Sequence, residues 1–292
     1  MITNLTQGWL ITHQKCLDGA TAAVVGLSCG LRPIFTEPDR VVDALSQVTD
    51  DRPLYLADVS LPVNLWSTHQ SRITYLLDHH QTALPLRHDP KAIVDMSHCG
   101  AALMYRFVLQ AGWLTSSARW DRLIHAVERY DLWQPHHGPG QDLNRLFRAR
   151  GFDWYQSRFS EGWSPFTSDE AEQLARIIYD ETEFIAQHVE AAQRLTAGTL
   201  TLAGVLLERE GPVNEVAHHL LERGVDMVLF LKLDGRLSAR TRPTVDAATL
   251  METNFGGGGH ARAAGGRISP DMTASLETLR DLLEELRRSL AP

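Results

Sequence analysis

The chain is short of basic charge: 28 lysines and arginines face 36 aspartates and glutamates, a formal net charge of −8. A protein that grips duplex or long single-stranded nucleic acid neutralises phosphates along its length, so this deficit argues against both. A small phosphorylated ligand stays open, because a metal cluster and a few arginines supply positive charge locally. Cysteine is scarce as well. Cys16, Cys29 and Cys99 cannot all pair, and their spacing forms neither a zinc pattern nor a disulfide framework, which fits a reducing compartment. No apolar run reaches the roughly 18 residues of a membrane span. The segment Met1 to Leu10 lacks the basic-then-apolar order of a secretion signal. These absences make a soluble cytoplasmic protein the expectation. What is present is ordinary globular composition: 43% hydrophobic and 22% charged residues in 292, ample for two cores.

The first half alternates short apolar runs with helical stretches, which predicts βαβ units around a parallel sheet. Trp9 to Thr12 reads as a first strand ending at His13, and Gly19 to Gly26 as a small-residue helix packed close to the sheet. Leu54 to Asp58 and Ile73 to Asp78 are strands that end in carboxylates, and Ala92 to Asp95 reads as a further strand. Helices are expected over Gly100 to Gln110 and Arg119 to Arg129, while Gln134 to Phe166 carries no assignable pattern. Thr167-Ser168-Asp169-Glu170 has the form of a capping box that opens a long helix to about Leu195. The expected division is therefore 1–167, a connector helix over 168–196, and a smaller α/β domain over 197–292. The latter has strands at Thr199 to Leu207, Met227 to Leu231 and Arg236 to Thr241, and helices at Val213 to Arg223, Asp246 to Thr253 and Asp271 to Leu290.

Open α/β sheets bind ligands at the carboxyl ends of their strands. Asp58, Asp78, His79, His80 and Asp131, with the segment His13 to Gly19, would place oxygen and nitrogen donors at such an edge. That donor set suits a pair of divalent ions sharing a carboxylate, with manganese, magnesium or zinc as candidates. Singly, an Asp after a strand is more often a cap or turn residue, and a His pair in a loop usually lies on the surface. His136-His137 and His218-His219 are read as such surface pairs.

In order along the chain, Leu56-Ala57-Asp58, Leu77-Asp78-His79-His80, Arg129-Tyr130-Asp131-Leu132-Trp133, and Asn254 to His260 followed by Ala263-Ala264-Gly265-Gly266 resemble the motifs of the DHH phosphoesterase superfamily, in its oligoribonuclease-like and exopolyphosphatase-related branch. The last two segments resemble its associated C-terminal domain. The resemblance implies a parallel-sheet catalytic domain, a smaller substrate-binding domain with a glycine-rich loop, and a cleft between them. It implies two divalent ions, manganese foremost. His13 and Asp58 would hold one, and Asp18, Asp58, His79 and Asp131 the other. Asp78 and His80 would be catalytic, His80 facing the substrate phosphate and Asp78 orienting the histidines. The implied reaction is hydrolysis of a short phosphorylated substrate (an oligoribonucleotide, a dinucleotide or polyphosphate) by metal-activated water. A homodimer is compatible with the family.

The first motif departs from the family pattern, which places two carboxylates as Asp-x-Asp-Gly where this chain has Cys16-Leu17-Asp18-Gly19. Cys16 is either a thiolate ligand favouring a softer ion or a small residue beside a weakened first site. The second reading puts the full two-metal mechanism in question and leaves a catalytically weakened, nucleotide-binding module as the alternative to an active hydrolase. His98, before a helix N-terminus, is either a phosphate contact or a surface residue. In the second domain Gly257, Gly258, Gly259 and His260 are expected to line substrate, with Arg240 as a bidentate phosphate ligand and Arg242 as its competitor.

Overall fold

A computed structural model describes residues 7–132, 134 and 138–290; Trp133 and the His136-His137 pair lie outside the described residues. The chain divides into two compact units, Met1–Leu174 and Ala175–Pro292. Among the described residues no helix is long and apolar enough to cross a membrane.

The first unit runs β1 (Gly8–His13), α1 (Leu17–Ser28), β2 (Leu31–Thr36), α2 (Val41–Ser46), β3 (Leu54–Ala57), α3 (Val63–His69), β4 (Tyr75–Asp78), β5 (Ala92–Val94), α4 (Gly100–Gln110), α5 (Ala118–Asp131) and α6 (Pro139–Phe159), the last broken at Gly151. The five strands are all parallel, in the order β2-β1-β3-β4-β5. The central strands β1, β3 and β4 are covered on both faces, so they are largely apolar and successive residues feed opposite cores. Leu10, Tyr55, Ala57 and Leu77 join the core built with α1, α4, α5 and α6. Ile11, Leu54, Leu56 and Leu76 join the second core with Val41 and Trp66 from α2 and α3. The strand order reverses between β1 and β3. The crevice outside the strand ends opens at that reversal, and the candidate residues stand there.

The capping box forms as expected. Glu170 N donates to Thr167 Oγ1 at 3.2 Å and Thr167 N to Glu170 Oε2 at 2.8 Å, opening α7 (Ser168–Glu190). The division between the units falls within this helix. The second unit continues with β6 (Gln193–Ala197), β7 (Leu200–Leu207), α8 (Val213–Glu222), β8 (Met227–Lys232), β9 (Arg236–Thr241), α9 (Ala247–Phe255), β10 (Gly258–His260), β11 (Ala263–Arg267) and α10 (Leu276–Leu290). Its six-stranded sheet has the order β10-β11-β9-β8-β7-β6, with β7 and β8 the parallel pair. One face packs on α9 and α10, the other on α8 and Phe184.

Several boundaries differ from expectation, for physical reasons. The long helix stops at Glu190 because Leu195 and Ala197 alternate into a strand, β6, paired with β7. The last helix starts at Leu276, where Ser275 Oγ accepts the Thr278 N–H at 3.1 Å, five residues later than Asp271. The unassigned stretch holds α6, whose aromatics Tyr155 and Phe159 are buried around it. The edge strand β2 was hidden by Arg32 and Pro33, residue types an edge strand tolerates.

Candidate metal centre

β1 ends at His13, and the chain turns directly into α1, whose N-cap is Cys16. Cys16 Sγ accepts the Gly19 N–H at 3.1 Å and lies 2.9 Å from Asp58 Oδ2. His13 Nδ1 approaches the same Asp58 oxygen at 3.8 Å. Asp58 follows β3 with φ of +59°, the one non-glycine residue among those described in the left-handed region. Such backbone is uncommon and costs of order 1–3 kcal/mol, held only where the surroundings over-determine it. Here Asp58 N is fixed by Leu77 O at 3.1 Å. The first residue of α4 must also be glycine, because a Cβ on Gly100 would stand 2.6 Å from Asp58 Cβ.

Asp58 Oδ1 faces the other way, 3.2 Å from His79 Nε2. The same imidazole nitrogen lies 3.6 Å from Asp18 Oδ2 and 3.7 Å from Asp131 Oδ2. Asp18 sits in the first turn of α1 and is gripped by the N-terminus of α4: Gly100 N donates to Oδ2 at 2.7 Å and Ala101 N to Oδ1 at 2.8 Å. A helix N-terminus presents its free N–H groups and positive dipole end to a carboxylate in this way. Asp131 comes from the last residue of α5. Asp78 closes β4 and collects three donors on Oδ1: the backbone N–H of His79 at 2.8 Å, that of His80 at 3.3 Å, and His80 Nδ1 at 2.7 Å. It therefore orients the His80 ring directly and the His79 ring through its backbone.

The electrostatics are those of a cluster short of positive charge. Burial, reinforced in each case by another of the three, pushes the carboxyl groups of Asp18, Asp58 and Asp131 up to about 7. Burial likewise pushes the Cys16 thiol up, reinforced by Asp58 and Asp18. The hydrogen bond to Asp78 lifts His80 to about 9, so at neutral pH its ring is a cation. Burial alone would raise Asp78, but His80 outweighs it and leaves Asp78 below the ordinary carboxylate range. Burial lowers His13.

The donor chemistry fits a pair of divalent ions. Three sets of donor atoms converge: His13, Cys16 and Asp58; Asp58, His79 and His80; Asp18, His79 and Asp131. Asp58 belongs to the first two sets, with Oδ2 toward His13 and Cys16 and Oδ1 toward His79, as a bridging carboxylate must. Two divalent cations would supply the positive charge that three crowded carboxylates lack.

His98 joins none of these sets. Its Nδ1 is held 2.7 Å from Glu128 Oε1 on α5. Arg242, the competing arginine, spends its guanidinium on Leu221 O at the end of α8, at 2.5 Å. Arg240, half-buried on β9, is fixed by Asn214 Oδ1 (2.9 Å to Nε) and Ser238 Oγ (2.9 Å to Nη1). The glycine run is less of a loop than its composition suggests. Gly256 ends α9 in the left-handed conformation, and Gly258 to His260 form β10 against β11. A Cβ on Gly257 would meet Gly265 O at 2.0 Å, and one on Gly259 would meet Ala263 O at 2.7 Å. The His260 side chain lies outside the described residues. His218 and His219 are exposed, as expected. Sequence reasoning missed Glu128 and Asn214; no local pattern announces a partner 30 or 26 residues away.

No family model matches the chain. Oligoribonuclease NrnB of Bacillus subtilis (strain 168) is 24% identical over 216 residues, covering 68% of this chain and 53% of that protein, so the chain spans about half of that relative's length. The pGpG-specific phosphodiesterase PggH from Vibrio cholerae has a similar fold, with TM-score 0.66 and 18% identity, over 97% of this chain and 98% of that one. RecJ from Thermus thermophilus, solved in complex with Mn2+, is similar with TM-score 0.59 and 13% identity, over 98% of this chain and 52% of that one. In fold the chain is similar to PggH and RecJ, and the motifs that resemble those of the DHH phosphoesterase superfamily meet at the strand ends.

Proposed function

We propose that the chain is a divalent-metal-dependent hydrolase of short nucleotides, a dinucleotide or a short oligoribonucleotide. The observation that carries this reading is Asp58, a buried carboxylate in strained backbone with one oxygen toward His13 and Cys16 and the other toward His79. The names of two similar proteins, an oligoribonuclease and a pGpG-specific phosphodiesterase, support the substrate class.

In this scheme His13, Cys16 and Asp58 hold one ion, and Asp18, Asp58, His79 and Asp131 the other. When bound, such a pair polarises a phosphate and acidifies a water. Asp78 fixes His80 through Nδ1 and keeps the ring charged, so that Nε2 carries a proton toward solvent from a side chain with 46% exposure. That N–H stabilises negative charge on a phosphate oxygen or protonates the leaving oxygen. In the second unit, Arg240 is pre-organised through Nε and Nη1 and offers Nη2 to a substrate anion.

The test is purified chain with Mn2+ and, separately, a linear guanylate dinucleotide, a short RNA and polyphosphate. Mononucleotide release that stops with a chelator is expected, and Asp58→Ala should keep less than about a tenth of the rate. Intact nucleotides beside cleaved polyphosphate would move the activity to an exopolyphosphatase-like one. Tight binding of nucleotide without cleavage would make the chain a binding module.

A further inference from the structure

The two halves of the centre differ in kind. His13, Cys16 and Asp58 offer nitrogen, sulfur and oxygen, whereas Asp18, His79 and Asp131 offer two carboxylate oxygens and one nitrogen. We propose that the two metal positions are chemically unequal: Cys16 ligates as a thiolate and makes the first position selective for a thiophilic ion of the zinc type. The second keeps a harder ion of the manganese or magnesium type. The inference rests on the two-ion reading above.

Thiolate selects zinc-like ions, and carboxylate suits manganese and magnesium. The placement of Cys16 supports ligation over a merely small residue at that spot. Its Sγ is turned into the cluster, 2.9 Å from Asp58 Oδ2, the same oxygen His13 Nδ1 approaches. It also receives the Gly19 N–H as the N-cap of α1, which fixes the sulfur beside Asp58. Capping alone does not account for sulfur here, since Ser, Asp and Asn are the preferred caps. On binding, the Cys16 S–H bond breaks and its proton leaves to solvent. The S–H to Asp58 hydrogen bond gives way to ligation of the ion by both Sγ and Oδ2, one proton being released per ion bound.

Cobalt(II) is the probe, because a thiolate ligand gives it a near-ultraviolet sulfur-to-metal charge-transfer band. The full chain should develop that band, saturating at about one ion per chain. Cys16→Ser and Cys16→Asp should lose it. Both keep a competent N-cap, so thermal melts should show α1 and the fold retained. Cys29→Ala and Cys99→Ala should keep the band, as should Asp131→Asn, which alters only the other position. By calorimetry, Cys16→Ser should weaken one Zn2+ site at least about tenfold, since loss of a mere supporting partner already costs ten- to a hundredfold. Cobalt binding without the band, or a band that persists in Cys16→Ser, overturns the inference. None of these readouts uses turnover. A chain that cleaves dinucleotide yet shows no band refutes the unequal positions alone, and one with the band that cleaves nothing refutes the hydrolase alone.

Discussion

Asp58 combines two costs at one residue, a left-handed backbone and a buried carboxylate beside Asp18 and Asp131. Neither helps a metal-free fold. Asp58→Asn keeps the shape and removes the charge, so the metal-free variant should melt higher than the parent at pH 8, by about 2–4 °C per kcal/mol gained. The same substitution should erase the rise in melting temperature that Mn2+ gives the parent. A lower metal-free melting point, or an intact Mn2+ response, would refute the bridging role. The strand-end carboxylate was legible in the sequence because an apolar run delivers it to a known edge. Its φ was not legible, since nothing marks an Asp for that conformation. Nor was the need for Gly100, which comes from an approach across 42 residues of chain.

At the level of elements, the glycine run separates packing from binding. Gly257→Ala drives a Cβ to 2.0 Å from Gly265 O and should cost about 1–3 kcal/mol by forcing β10 away from β11. A Cβ on Gly258 meets nothing within 4 Å, so Gly258→Ala should leave the melting temperature nearly unchanged. If Gly258→Ala nonetheless raises KM severalfold, Gly258 faces substrate; if neither stability nor kinetics moves, it serves neither purpose. Elements declared by local chemistry were readable in advance, among them the Thr167–Glu170 box and the apolar strands β3, β4 and β8. Those decided by partners were not. Pro33 and Arg32 join a strand only because β1 offers an edge, and Gln193 to Ala197 leave the helical pattern only because β7 pairs with them.

For the molecule as a whole, the pH dependence follows from the centre. Asp18, Asp58 and Asp131 hold protons more tightly folded than unfolded, with values pushed from 3.8 to about 7. Their contribution to stability is complete below about pH 3.8 and is lost as pH rises through 7. His80, lifted from 6.5 to about 9, contributes fully below 6.5 and loses its share as pH rises through 9. Metal-free protein should therefore weaken steadily from pH 5.5 to 8. Mn2+, which competes with those protons, should raise the melting temperature more at pH 8 than at pH 5.5. An equal shift at both would argue that the ion binds elsewhere. Net charge foretold none of this; at −8 it describes the surface, whereas the behaviour comes from three carboxylates folded into one place.

Those donors come from α1 and its N-cap, from the ends of β1, β3 and β4, and from α5, stretches that lie far apart along the chain. An ion seated there fastens distant stretches of backbone to one another and has no equivalent seat on the unravelled chain. At a hundred times its dissociation constant it adds about 2.7 kcal/mol to the native state. Where the ion must leave before the first unit can open, its residence time also sets how long the chain survives a protease that cuts only opened molecules. Starvation for metal would then shorten the protein's lifetime as well as silence its chemistry.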